Sequence, residues 1–307
     1  MEGWLGRSGT GRWWRGAQGV KAGWRAALYV VLLMLVVAGE IWGLARLHPP
    51  WLKPQAALSA DFVMLNELFL LMPVLAATAV MARMEKRSVV SCGLEGRHVW
   101  RLLLKGLGVG IAALSLLEGL LLVSGHASLR WQGEGVHQIA LSGFGWLAAC
   151  LLTGLTEELA FRGYIQQALT RGMGFWPAAC ATSLIFGGLH VTNQHESVIG
   201  ILNVCGAGLI FCLGLWRTGT LWWSIGFHAG WDFSENFLFG THDSGQSCAG
   251  ALLDTLPHGA AWFSGGLTGP EGSLLGLGVE CLVAGWLLLF LHRSPASFDM
   301  DQCGPKG

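Results

Sequence analysis

Charge is what this 307-residue chain has least of: 12% of its residues are Asp, Glu, Lys or Arg, against roughly a quarter in soluble domains. That scarcity excludes an ordinary soluble protein, because 52% of the residues are apolar and they gather in repeated runs of bilayer-spanning length. Paired cysteines are lacking as well. Cys92, Cys150, Cys180, Cys205, Cys212, Cys248, Cys281 and Cys303 show no CxxC spacing. Most fall in apolar stretches, where cysteine behaves as a small hydrophobe, so neither a disulfide framework nor a zinc ribbon is indicated. The formal charge is zero, and nothing points to nucleic acid as a partner. No internal repeat and no appended soluble domain is visible.

What the chain does have is glycine and tryptophan, 46 and 16 of them. Glycine lets membrane helices pack closely, and tryptophan collects at bilayer surfaces. About 20 apolar helical residues cross roughly 30 Å of hydrocarbon. Eight segments qualify, near 25–47, 60–83, 101–124, 140–164, 175–194, 197–216, 219–239 and 272–292. The expected fold is therefore all-α, a polytopic membrane helical bundle of about eight transmembrane helices. The first segment begins too far into the chain, and lacks the small-residue site, for a cleaved signal peptide.

Lysine and arginine are also scarce on one side. Arg7, Arg12, Arg15, Lys21, Arg25, Arg83, Lys86, Arg87, Arg97, Arg101, Lys105, Arg171, Arg217, Arg293 and Lys306 share one face of an eight-span path. Only Arg46, Lys53 and Arg130 lie opposite, and the loop from 240 to 271 has neither residue type. The positive-inside rule puts the rich face, with both termini, in the cytoplasm of a cell inner (plasma) membrane. The expected organisation is a basic cytoplasmic arm at 1–24, a membrane domain at 25–293 and a cytoplasmic tail at 294–307.

A charge at membrane depth costs at least about 2.5–3.5 kcal/mol on insertion scales, so each one needs a reason. Three compact polar groups stand out. In Thr156-Glu157-Glu158-Leu159-Ala160-Phe161-Arg162, Glu158 and Arg162 are four apart and can pair on one helix face. Glu157 is rotated by about 100°, which leaves a second carboxylate for other work; the plainer alternative is a charge cluster snorkelling at a helix end. In Phe186-Gly187-Gly188-Leu189-His190, Phe186 and His190 share a face, and a buried histidine can equally be a packing residue. In His228-Ala229-Gly230-Trp231-Asp232, His228 and Asp232 share a face, as catalytic groups or as a structural pair. Glu235 and Asn236 continue that polar face. Glu40, Glu67, Glu118 and Glu280 follow no spacing rule and are expected to hydrogen-bond to neighbouring helices.

Together, EExxxR, FxxxH and HxxxD on successive membrane helices resemble the three-motif signature of the CAAX-protease and bacteriocin-processing family, which includes type II CAAX prenyl endopeptidases. The resemblance covers about 140–239. It implies an intramembrane endopeptidase acting on membrane-associated protein or peptide substrates within the lipid bilayer, with Glu157 and His190 activating water and His228 and Asp232 facing the oxyanion. Glu158, Arg162 and Phe186 are then supporting residues. Many relatives have asparagine where this chain has Asp232; an ionised aspartate cannot donate a hydrogen bond, so Asp232 either orients His228 or is protonated.

No cofactor is favoured, and a glutamic-type mechanism is preferred to a metallo-type one because HExxH is absent. The alternative is zinc held by Glu157, His190, His228 and Asp232. A membrane transporter or scaffold, using the same residues for ion passage or packing, is the rival class. One difficulty is depth. With 1.5 Å per residue, a fourth helix ending at 164 leaves Glu157 shallower than His190, so that helix is expected to continue toward 170.

Overall fold

The computed structural model describes residues 15–16, 19–47, 57–132 and 135–291. Most of the expected arm at 1–24, and the whole of the tail at 294–307 together with Arg293, lie outside the described residues. A short antiparallel pair, β1 (Arg15–Gly16) and β2 (Gly19–Val20), precedes the first helix.

The rest is helical. α1 (Ala22–Leu47), α2 (Ala60–Met84) and α3 (Val99–Val123) run up, down and up. α4 (Val136–Glu158) passes through a π turn (Leu159–Gly163) into α5 (Tyr164–Met173), and the continuous rod spans Val136–Met173. α6 (Phe175–His190), α7 (Val198–Thr218) and α8 (Trp222–Phe233) follow. α8 continues into a second π turn (Ser234–Phe239). The chain closes with the single turn α9 (Ala261–Ser264) and then α10 (Leu274–Phe290). Across the gap between α3 and α4, β3 (Ala127–Trp131) pairs antiparallel with β4 (Leu253–Pro257), Ala127 opposite Pro257 and Trp131 opposite Leu253.

This is a polytopic helical bundle, as the hydrophobic runs indicated, with two differences. Among the described residues, five rods are long and apolar enough to cross a membrane: α1, α2, α3, α4–α5 and α7. α6, α8 with its π turn, and α10 are shorter than the full run assigned to them. α8 needs no long apolar run because it is enclosed by protein: nine of its positions from Trp223 to Asp232 are buried. The fourth rod is longer than 140–164 and ends at Met173, where Gly174 turns the chain with φ +86°. That extension removes the depth mismatch between Glu157 and His190.

Outward faces are apolar, with Leu35, Leu184, Leu282 and Leu289 each more than half exposed. Such faces would be a liability in water and are ordinary against lipid. Inside, small residues set the spacing. On α3, a Cβ at Gly106 would lie 2.1 Å from the carbonyl of Trp223, and one at Gly110 2.2 Å from that of Phe227. On α8, a Cβ at Gly226 would lie 2.1 Å from the carbonyl of Leu103, and one at Gly230 2.3 Å from that of Leu107. Two GxxxG faces therefore meet backbone to backbone. α8, which carries His228 between its two glycines, is held with no side chain intervening on that face.

Polar contacts mark the two ends. At one, Glu85 accepts from Arg25 at 3.1 Å, Arg171 at 3.1 Å and Tyr164 at 2.6 Å, and pairs with Arg87 at 2.9 Å. Burial alone would push the Glu85 carboxyl up, but the Tyr164 hydroxyl and the Arg171 and Arg87 guanidiniums outweigh it and hold it below the usual carboxylate range. α8 starts beside the turn that follows Glu85, where the Leu221 N–H bonds the Gly93 carbonyl. Its π turn therefore lies at the opposite end, with β3, β4 and the Arg130–Asp254 pair.

Candidate active site

Adjacent carboxylates on α4 meet different fates. Glu158 is fully buried, and its Oε1 accepts from Arg162 NH1 at 3.1 Å. Arg162, itself fully buried, also lies over the rings of Phe186 at 4.5 Å, Phe211 at 5.0 Å and Phe161 at 5.7 Å. A delocalised guanidinium tolerates such an aromatic cage better than an ammonium would. Glu157, one residue earlier, points elsewhere and keeps 26% of its side chain exposed.

The exposed part of Glu157 opens into a cavity of about 380 Å³, also lined by His190, His228 and Asp232. His228 is central. Its Nδ1 lies 3.3 Å from Glu158 Oε1, and its Nε2 lies 3.6 Å from both Glu157 Oε2 and Asp232 Oδ2. Because Glu158 is paired with Arg162, it acts as an acceptor, so the Nδ1 of His228 carries a proton and Nε2 faces the cavity. The relay Arg162–Glu158–His228 thus orients the imidazole. Phe211 stacks on that ring at 4.8 Å with an 18° tilt, and Phe186 meets it edge-on.

His190 is fixed from its other side. Its Nδ1 lies 2.9 Å from the Phe186 carbonyl. A carbonyl only accepts, so Nδ1 holds the hydrogen and the neutral ring keeps its lone pair on Nε2. Phe186 sits between the imidazoles, 4.8 Å from the His190 ring and 6.3 Å from that of His228. The FxxxH spacing therefore supplies both a carbonyl for His190 and a ring that separates it from Arg162 and His228.

The structure brings Glu157, His190, His228 and Asp232 to one hollow that Phe186 also lines, with Glu158 and Arg162 behind them. Glu157 lies 3.6 Å from His228 Nε2, a proximity that local spacing did not indicate. The role of Glu158 in holding His228 was also missed, since spacing links Glu158 only to Arg162. Further acids reach the cavity from unrelated segments: Glu67, Asp243, Glu271 and Glu280 line it, and no Lys or Arg does so among the described residues. Glu118 was expected to hydrogen-bond to a neighbouring helix, yet both its oxygens are buried without such a partner. Both helices that carry motif carboxylates enter a π turn directly after them, a widening common at functional sites.

For a metal, the zinc set would need donor atoms that converge. Among the described residues, the group whose oxygens all lie within 4.8 Å of one another is Asp232, Glu235 and Asp243, without either histidine. Among the acids of the described residues, Glu157 and Asp232 approach His228 Nε2, each at 3.6 Å.

Residues 138–234 match the family model described as type II CAAX prenyl endopeptidase Rce1-like. No curated protein and no solved structure matches the chain. The matched stretch begins in α4, ends just after Asp232 and includes all three motifs. Over it, the chain is similar to a CAAX-type family of intramembrane proteases, in agreement with the motif resemblance.

Proposed function

We propose that the chain is an intramembrane endopeptidase that hydrolyses peptide bonds of membrane-associated proteins or peptides with water activated by Glu157 and His190. The observation that carries this reading is the division of labour between neighbouring acids. Glu158 is committed to Arg162 and His228, whereas Glu157 faces the cavity shared with His190, His228 and Asp232.

Glu157 takes a proton from water as it attacks the scissile carbonyl, a general-base role that a partly desolvated carboxylate suits. The His190 Nε2 lone pair lies on the same hollow and shares that proton, then returns it to the leaving amine. His228, protonated on both nitrogens, donates from Nε2 to the oxyanion of the tetrahedral intermediate. Asp232, 3.6 Å from that nitrogen, orients the ring and balances its charge. On this reading the basic termini face the cytoplasm by the positive-inside rule, and Glu85 marks the cytoplasmic end.

The test is reconstitution of the whole chain in vesicles with a membrane-anchored peptide, prenylated or not, followed by mass spectrometry of products and ion flux in the same preparation. Cleavage at one bond without flux supports the protease. Flux without cleavage of either peptide overturns it in favour of a transporter.

A further inference from the structure

We infer that Asp232, Glu235 and Asp243 form a site for one hard divalent cation of the calcium type, joining the end of α8 to the loop that follows it. Oxygens of the three carboxylates lie within 4.8 Å of one another. Acidic clusters are common, and proximity alone would mean little. The decisive member is Glu235. It is fully buried, neither of its oxygens has a hydrogen-bond partner, and one of them is turned toward the other two carboxylates. A carboxylate taken from water with nothing to accept costs several kcal/mol unless a proton or a cation meets it.

Among the described residues, no cationic side chain meets Glu235. No Lys or Arg lines the adjoining cavity among the described residues, and the imidazole of His228 pairs with Asp232, Glu157 and Glu158, not with Glu235 or Asp243. Asn236 donates to Asp243 at 2.7 Å, which fixes that carboxylate in place. Glu271 stands close by, receiving the backbone N–H and the hydroxyl of Ser244 at 2.5 and 2.8 Å. Glu271 thus adds a fourth carboxyl group to this end of the cavity.

Donor chemistry selects the ion. All three ligands are carboxylates, and oxygen-only sets suit Ca²⁺, Mg²⁺ and Mn²⁺, whereas imidazole and thiolate suit zinc. Adaptable coordination favours Ca²⁺, since one ligand comes from a loop, one from α8 and one from a π turn. The bound ion ties Asp243 to the far end of α8 and closes the cavity at the end opposite Glu85. This inference stands whether or not the chain cleaves peptides.

Full-length protein in detergent, stripped with chelators, is titrated with Ca²⁺, Mg²⁺ and Zn²⁺ separately by equilibrium dialysis while the thermal midpoint is followed. The expected result is one saturable Ca²⁺ per chain, a raised midpoint on binding, and at least a tenfold loss of affinity in Glu235→Gln and in Asp243→Asn. Asp243 lies in a loop, so its variant decides the matter should Glu235→Gln fail to assemble. No saturable binding, or binding unchanged in the available variants, overturns the inference. So does binding of Zn²⁺ alone that His228→Gln abolishes, because the ion would then sit among the imidazoles.

Discussion

Glu158 and Arg162 form an ion pair at 3.1 Å with no solvent exposure on either side chain, and the same glutamate oxygen faces Nδ1 of His228. One buried carboxylate therefore serves both assembly and the orientation of a cavity-facing imidazole. Removing the cation strands that carboxylate. Arg162→Ala is expected to cost about 3–5 kcal/mol, the range for breaking a buried pair from one side. Arg162→Met combined with Glu158→Gln should recover part of the loss. Thermal unfolding in detergent checks both; a single variant as stable as the parent would show that the pair carries no weight.

Close approach of α3 and α8 gives a second expectation. Alanine at Gly110 or Gly226 brings a Cβ to about 2 Å of a facing carbonyl, so the helices must part, at a cost of about 1–3 kcal/mol for overpacking. Because His228 lies between Gly226 and Gly230, cleavage should fall with stability. Gly108, on α3 but with open space around its Cβ, is the control. Gly108→Ala should stay within about 0.5 kcal/mol of the parent.

The Glu85 hub predicts a specific acid dependence. Its carboxyl is held below its unfolded value, so its contribution to stability is complete above the ordinary glutamate value of about 4.3 and is lost as pH falls through the lower folded value. Melting midpoints of the parent should therefore drop on acidification below that point. Glu85→Gln should be less stable at neutral pH and should show a flatter acid limb. An identical acid limb in both proteins would remove Glu85 from the account.

Much of this arrangement was legible in the sequence, for physical reasons. Hydrophobic runs reveal rods because lipid requires satisfied backbones, and the i, i+4 spacing placed Glu158 with Arg162 and His228 with Asp232. The hydrophobic run of the fourth rod stops near 164 because Glu157, Glu158 and Arg162 break the apolar pattern, yet the depth of His190 called for continuation toward 170, and the rod runs on to Met173; Glu158 and Arg162 are enclosed by protein rather than at a surface. The lengths of α6, α8 and α10 were overestimated, since hydropathy does not distinguish lipid from a protein neighbour. The site's other acids were harder to find. Asp243 comes from a loop and Glu271 from a short 3-10 turn, Pro270–Gly272, neither with any periodicity to read, and Glu67 and Glu280 join the cavity only through packing of α2 and α10. That Glu158 holds His228 depends on the crossing of α4 and α8, which no local spacing encodes.

The most direct measurement is the single-turnover cleavage rate of Glu157→Gln beside that of the parent, in protein shown to share the same thermal midpoint. The account predicts a fall of about 10²–10⁴-fold, because the amide keeps the shape and loses the proton acceptor. A rate within threefold of the parent would contradict it.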